Sequence, residues 1–261
     1  YPLTDNGRKR LLYIICAFIG SIIFITGFSL LVELIDRTLR DAYRSRRLTG
    51  LPVIAAFNGT NNLKYRGFLK ACNRRAAAYA CQQINGYLQP NRATIINLLS
   101  IEEREGKSFL AKYFAQYWES EGLHVRIVNH DIDFEKESKS YVQAQQLSDF
   151  WQLNDAEQQP DIILVEYPAL CHYDVPEKVL AESDFNLLVA NAARLWSEKD
   201  NARLRSVKDI LKDKSLYLYL NNADRETVES FTGELPPHNS VHSFFRRLAQ
   251  LGLTSQKAAV K

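Results

Sequence analysis

The sequence predicts an α/β fold, a mostly parallel sheet with helices on both faces, preceded by one transmembrane helix. Three observations carry this reading. Residues 11–32 (LLYIICAFIGSIIFITGFSLLV) hold no charge. Five later runs are apolar throughout and alternate with helix-forming stretches, the pattern of parallel strands covered on both faces. Gly106-Lys107-Ser108 stands where the first of those runs turns into an amphipathic segment. With 261 residues, 46% hydrophobic and 24% charged, the chain can fill a core and is not wholly disordered.

In chain order, the 22 residues of 11–32 would span roughly 33 Å as a helix, enough for the hydrocarbon core. Gly20, Ser21, Thr26 and Gly27 suit a lipid-embedded helix. A core helix would show a polar face, and a signal peptide has a shorter apolar region. Residues 8–47 carry eight basic and three acidic side chains, a local excess of +5 within a net +3, so the remainder is −2. A nucleic-acid binder should carry its excess on the folded domain, so DNA and RNA are excluded as partners. Five of the basic residues follow the span closely against three before it, which predicts a cytoplasmic C-terminal side and contact with the anionic cytoplasmic membrane. The chain opens at Tyr1 and has no methionine, so it is expected to be part of something longer, with residues 1–10 an extracytoplasmic stub. Four cysteines without CxxC spacing argue against a zinc ribbon, a redox pair or a disulfide scaffold.

Residues 35–47 look helical and end at Gly50-Leu51-Pro52. Residues 51–56 read as a short edge strand and 63–88 as a helix with AAAYA in its middle. The apolar runs follow at 94–100, 125–129, 162–166, 185–190 and 216–221. Between the first two, Leu110, Tyr113, Phe114, Tyr117 and Trp118 recur at helical spacing, an aromatic face destined for the core. The expected domains are the stub 1–10, the span 11–32, a linker 33–62, the sheet domain 63–253 and a tail 254–261. Phe244 and Leu248 are expected on a last helix.

Ligands of parallel sheets sit at the carboxyl ends of the strands. After the first run comes Ser100-Ile101-Glu102-Glu103-Arg104-Glu105-Gly106-Lys107-Ser108. A Gly-Lys-Ser turn into a helix holds phosphate with backbone N–H groups and the lysine, and places a hydroxyl for Mg²⁺. Ile101 stands where the full phosphate-loop pattern has its first glycine. The next two strand ends carry Asn129-His130-Asp131-Ile132-Asp133 and Glu166-Tyr167-Pro168, acidic groups placed for Mg²⁺ or water. His130 could touch a ligand there. His238 and His242, four apart, could share a metal on one helix, though a surface role suits them better.

A transmembrane helix, LTGLPVI, SIEEREGKS, VRIVNHDID, DIILVEYP and LYLYLNN, in that order, resemble the cytoplasmic half of bacterial polysaccharide co-polymerases. These are chain-length-determinant proteins fused to or paired with a bacterial tyrosine kinase (BY-kinase) domain of the MinD/ParA-like branch of P-loop proteins. The resemblance runs from about Arg8 to about Leu251. It implies ATP and Mg²⁺ as cofactors, with Glu105, Gly106, Lys107 and Ser108 at the nucleotide, Arg104 where the family has glycine, and Ser108, Asp131 and Glu166 near Mg²⁺. It implies an aspartate base where this chain has Asn129, and a carboxylate on a shorter arm than Glu166. The family's terminal tyrosine cluster has no counterpart, since no tyrosine follows Tyr219. An amide cannot accept a proton at neutral pH, and such a base is typically worth about 10²–10⁴-fold. The resemblance therefore implies a kinase-like domain impaired in phosphoryl transfer, a regulator or scaffold of exopolysaccharide or capsule synthesis and export at the inner membrane, oligomeric and in contact with the polymerase and export machinery. An active tyrosine kinase acting on a partner, and a membrane-tethered ATPase of the MinD/ParA type, are the alternatives.

Overall fold

The computed structural model describes residues 7–59, 67–150 and 159–236. His238, His242, Phe244 and Leu248 lie outside them, as do the tail and most of the stub. The chain divides into two compact units, residues 1–37 and 38–261.

The first unit is helix α1, Gly7–Ile35. Its apolar stretch, Arg10–Ile35, reaches a mean hydropathy of 2.5 over 18 residues that are not buried, and is long and apolar enough to cross a membrane. At 1.5 Å per residue those 26 residues reach about 39 Å. Two of its hydroxyls bond within the helix: Ser21 Oγ donates to Phe18 O at 2.7 Å and Thr26 Oγ1 to Ile22 O at 2.8 Å. A lipid-embedded segment requires such internal pairing.

The second unit opens with Thr38 bridged to Leu195, and with the Leu39 amide donating to Arg194 O. Helix α2, Ala42–Thr49, is capped by Asp41, which accepts from the Arg44 amide, and stops at Gly50 in the left-handed region. Strand β1, Val53–Asn58, then leads to α3, Leu69–Ile84. The alternation follows: β2 (Thr94–Leu99), α4 (Lys107–Ser120), β3 (Val125–Asn129), α5 (Lys139–Gln143), β4 (Ile162–Glu166), α6 (Glu177–Glu182), β5 (Phe185–Asn191), α7 (Glu198–Leu211), β6 (Leu216–Ala223) and α8 (Arg225–Thr232).

The six strands form one sheet in the order β1-β6-β5-β2-β4-β3, every pair parallel. The chain steps from β2 through α4 toward the β3 edge, and from β5 through α7 toward the β1 edge. Right-handed crossovers running in opposite directions place α4 and α7 on opposite faces, as the continuous burial of β2 and β4 requires. β1 pairs with β6, so the sheet takes in part of the 33–62 stretch read as linker, and the compact unit begins at residue 38. Its run was legible as an edge strand, but its parallel partner lies some 160 residues later in the chain.

On the α3–α4 side, Phe57, Phe114, Trp118 and Tyr219 are fully buried. Phe57 and Phe114 meet Tyr219 edge-on at 5.0 and 5.8 Å, favoured aromatic geometries. Trp118 Nε1 donates to Asn85 Oδ1, which satisfies its polar end. Small residues (Ala76, Ala77, Ala80) on the buried side of α3 let that helix lie close to β1.

Candidate functional site

β2, the strand that leads into the Gly106-Lys107-Ser108 turn, is fully buried and ends beside β4. The loop that leaves it, residues 100–106, is braced by its own side chains. Glu105 is turned inward: one carboxylate oxygen accepts from the Glu102 amide at 3.3 Å, and the other meets Arg194 Nε at 2.7 Å. Burial pushes the Glu105 carboxyl up, and Arg194 opposes that shift. Arg194 also holds Asp200 at 2.8 Å. Glu105, expected at the nucleotide, therefore directs its carboxylate into the loop's own support.

Two loop residues take left-handed backbone. Arg104 has φ 58° and Gly106 φ 101°. The loop thus keeps at Arg104 a conformation that favours glycine, with an exposed arginine in it. At Gly106 the requirement is also steric, since a Cβ would fall 2.1 Å from Asn221 Nδ2. That amide donates to Glu105 O at 3.0 Å and ties the end of β6 to the loop.

α4 starts at Lys107, so its first backbone N–H groups and the positive end of its dipole face the loop. Lys107 is buried, and its ammonium donates to Ser100 Oγ at 2.5 Å. Burial pulls it below its ordinary range, against the attraction of Glu166, Glu105, Glu103 and Asp131. Ser108 Oγ donates to Glu166 Oε1 at 2.5 Å, and Asn129 Nδ2 donates to Glu166 Oε2 at 2.9 Å. Glu166 is buried, which raises its carboxyl, with the Ser108 bond and the Lys107 charge acting in the other direction. Asn129 and Glu166 are register partners across β3 and β4, so the bond follows directly from the strand pairing.

Asn129 Oδ1 accepts from the Asp131 amide at 2.7 Å. This turn puts Asp131 on the exposed rim, where Lys136 Nζ lies 3.6 Å from its carboxylate. The His130 ring contacts Asn129 Oδ1 at 3.1 Å, and burial pulls its pKa down. Arg104, Glu105, Gly106, Lys107, Ser108, His130, Asp131 and Glu166 line one cleft of about 310 Å³. Asn129 reaches that cleft through its bond to Glu166.

The residues fit a phosphate group in several respects. A buried lysine, a helix N-terminus and a glycine that leaves no room for a Cβ converge on one opening. For Mg²⁺ the oxygen donors are Ser108 and Glu166, already hydrogen-bonded to each other, with Asp131 on the rim. Asn221 and Arg194 were not singled out from the sequence. Asn221 stands at the end of an apolar run, the same signal that pointed to Asn129 and Glu166. Arg194 carries no comparable signal, because its partners Glu105 and Asp200 meet it only through the fold.

No family model and no curated relative matches the chain. Among solved structures, the kinase domain of the Escherichia coli tyrosine kinase ETK aligns at 12% identity and a TM-score of 0.49, covering 67% of this chain and 92% of its own. The chimerical protein CapA2B2 aligns at 14% and 0.49, over 70% of this chain and all of that one. The BceF tyrosine kinase domain aligns at 15% and 0.47, over 70% and 98%. Likeness at this level assigns no activity, and the functional reading rests on the side chains described above.

Proposed function

We propose that this chain is a membrane-anchored, kinase-like domain that binds a nucleoside triphosphate weakly and is impaired in phosphoryl transfer, acting as a regulator or scaffold. The observation that carries it is the state of Glu166. Both its oxygens are engaged from within the protein, one by Ser108 and the other by an amide, Asn129, standing where a base is expected. ATP would be held by the N-terminal N–H groups of α4 with Lys107, and its Mg²⁺ by Ser108, Glu166 and Asp131. When bound, these would supply a transferable phosphoryl group and its charge neutralisation. Asn129 cannot take a proton from an acceptor hydroxyl. Asp131, another carboxylate of the turn, is exposed and lies beside Lys136, while Asp133 is engaged by the Asn129 amide and Arg126.

The place of this domain in exopolysaccharide or capsule synthesis and export, its oligomerisation and its position on the cytoplasmic side of the inner membrane are supported by the order of motifs and by the basic residues following α1. Calorimetry with ATP on the detergent-solubilised chain, with and without Mg²⁺, tests nucleotide binding. Lys107→Ala should weaken it by about 10-fold or more, the loss of one charge-assisted bond. Labelled phosphate should not reach tyrosine on the chain or on an added tyrosine polymer. Transfer that Lys107→Ala abolishes would establish the active-kinase alternative, and no binding at millimolar ATP would remove the nucleotide from the proposal. Polymer export in the host supported equally by Lys107→Ala is the outcome expected of a scaffold.

A further inference from the structure

Beside the cleft, the backbone brings together three metal-binding side chains that no sequence spacing announces. The loop after β4 runs along the loop after β2: Leu170 N donates to Ser100 O at 3.0 Å and Cys171 N to Ile101 O at 2.9 Å. This register sets Cys171 against Glu102, whose Oε2 accepts from the thiol at 3.3 Å. His172 follows directly, exposed, with its backbone tied to Ala169 O. One donor atom from each of Glu102, Cys171 and His172 lies within 4.8 Å of the other two.

We propose that Glu102, Cys171 and His172 form a binding site for a thiophilic divalent cation of the Zn²⁺ class, which staples the phosphate loop to the loop after β4. Zn–S and Zn–N bonds of about 2.3 and 2.0–2.1 Å imply donor separations of roughly 3.5 Å at a tetrahedral angle. The Cys171–Glu102 pair already has that separation, and the exposed His172 side chain closes the remainder by rotation. A mixed thiolate, imidazole and carboxylate set selects Zn²⁺ over Mg²⁺ or Ca²⁺, which take oxygen ligands. On binding, the S–H bond breaks and its proton leaves to buffer, metal–sulfur, metal–nitrogen and metal–oxygen bonds form, and water takes the fourth position. Glu102 O accepts from Ser100 Oγ, the partner of Lys107, so the cation would fix the strand of loop that orients the lysine. The inference stands apart from nucleotide binding.

The test is titration of the reduced, detergent-solubilised full chain with Co²⁺ alone, followed by absorbance. One equivalent should produce a thiolate-to-cobalt charge-transfer band in the near ultraviolet with tetrahedral d–d bands in the visible, and one equivalent of Zn²⁺ should erase both. Cys171→Ser should abolish the charge-transfer band. His172→Gln should weaken Co²⁺ binding by at least about 10-fold, since even outer-shell partners of metal ligands are worth about 10–100-fold. Cys16→Ser should leave the band intact, because that exposed thiol lies on α1 and is not one of the three ligands, and Cys72 and Cys81 are buried. Absence of the band, or its survival in Cys171→Ser, would overturn the proposal. A Zn²⁺-dependent rise in melting temperature in the unmodified chain, lost in Cys171→Ser and in Glu102→Gln, gives an independent readout.

Discussion

Gly106→Ala probes the tightest contact in the cleft. The new Cβ would stand 2.1 Å from Asn221 Nδ2 and 2.9 Å from its Cγ, closer than unbonded atoms come. Asn221 must therefore swing away and give up its 3.0 Å bond to Glu105 O, a loss of about 1 kcal/mol. A side chain at φ 101° adds about 1–2 kcal/mol of backbone strain. Together these predict a loss of about 2–3 kcal/mol, which for a domain of this size lowers the melting temperature by about 4–12 °C. Circular dichroism melts of the detergent-solubilised chain measure it. Asn221→Ala alone should cost about 1 kcal/mol, and the double variant should cost at least about 1 kcal/mol less than the sum, because the collision and the broken bond are counted only once. Strict additivity, or a Gly106→Ala melt within 2 °C of the unmodified chain (about 1 kcal/mol), would refute the reasoning.

Three further variants test the same loop and strand ends. Arg104 occupies left-handed backbone, so Arg104→Gly should melt about 2–4 °C above Arg104→Ala, the comparison that cancels the lost guanidinium and isolates about 1 kcal/mol of backbone preference. Glu166 has a carboxyl pKa raised by burial above its ordinary 4.5, so as pH climbs past 4.5 the unfolded chain ionises first and the folded state loses stability relative to it. The melting temperature of Glu166→Gln minus that of the unmodified chain should therefore grow as pH rises from 4.5 toward neutrality, and a flat difference between pH 4.5 and 7 would contradict the burial argument. Asn129→Asp replaces a donated hydrogen bond with a second carboxylate beside Glu166. It should destabilise the metal-free chain by about 2–3 kcal/mol and make the melting temperature rise more steeply with Mg²⁺ than it does in the unmodified chain.

Much of this architecture was readable because its determinants are local. Each strand of the sheet interior is a mostly apolar run, broken in β2 and β5 only by Asn97 and Asn186, which bond to each other, and Gly106-Lys107-Ser108 marks the strand-to-helix turn within a few residues. The aromatic face of α4 followed from helical spacing, and Phe114 and Trp118 are indeed buried. What escaped is set by strand order. Asn221 reaches the loop because β6 lies two places from β2, although 116 positions separate it from Glu105. Arg194 finds Glu105 across the end of β5, and Cys171 finds Glu102 because β4 is the neighbour of β2. Glu105 is the instructive case: its place in the motif was plain, but an inward-facing carboxylate with an arginine partner depends on a residue 89 positions away.

Arg194 also lies where two parts of the folded unit meet. Its carbonyl receives the Leu39 amide, its neighbour Leu195 bridges Thr38, and its guanidinium grips Glu105. The first residues of the domain and the rim of the cleft thus share one short strap. A pull on the polypeptide at position 38 has a route to the buried Glu105 carboxylate that crosses a single side chain.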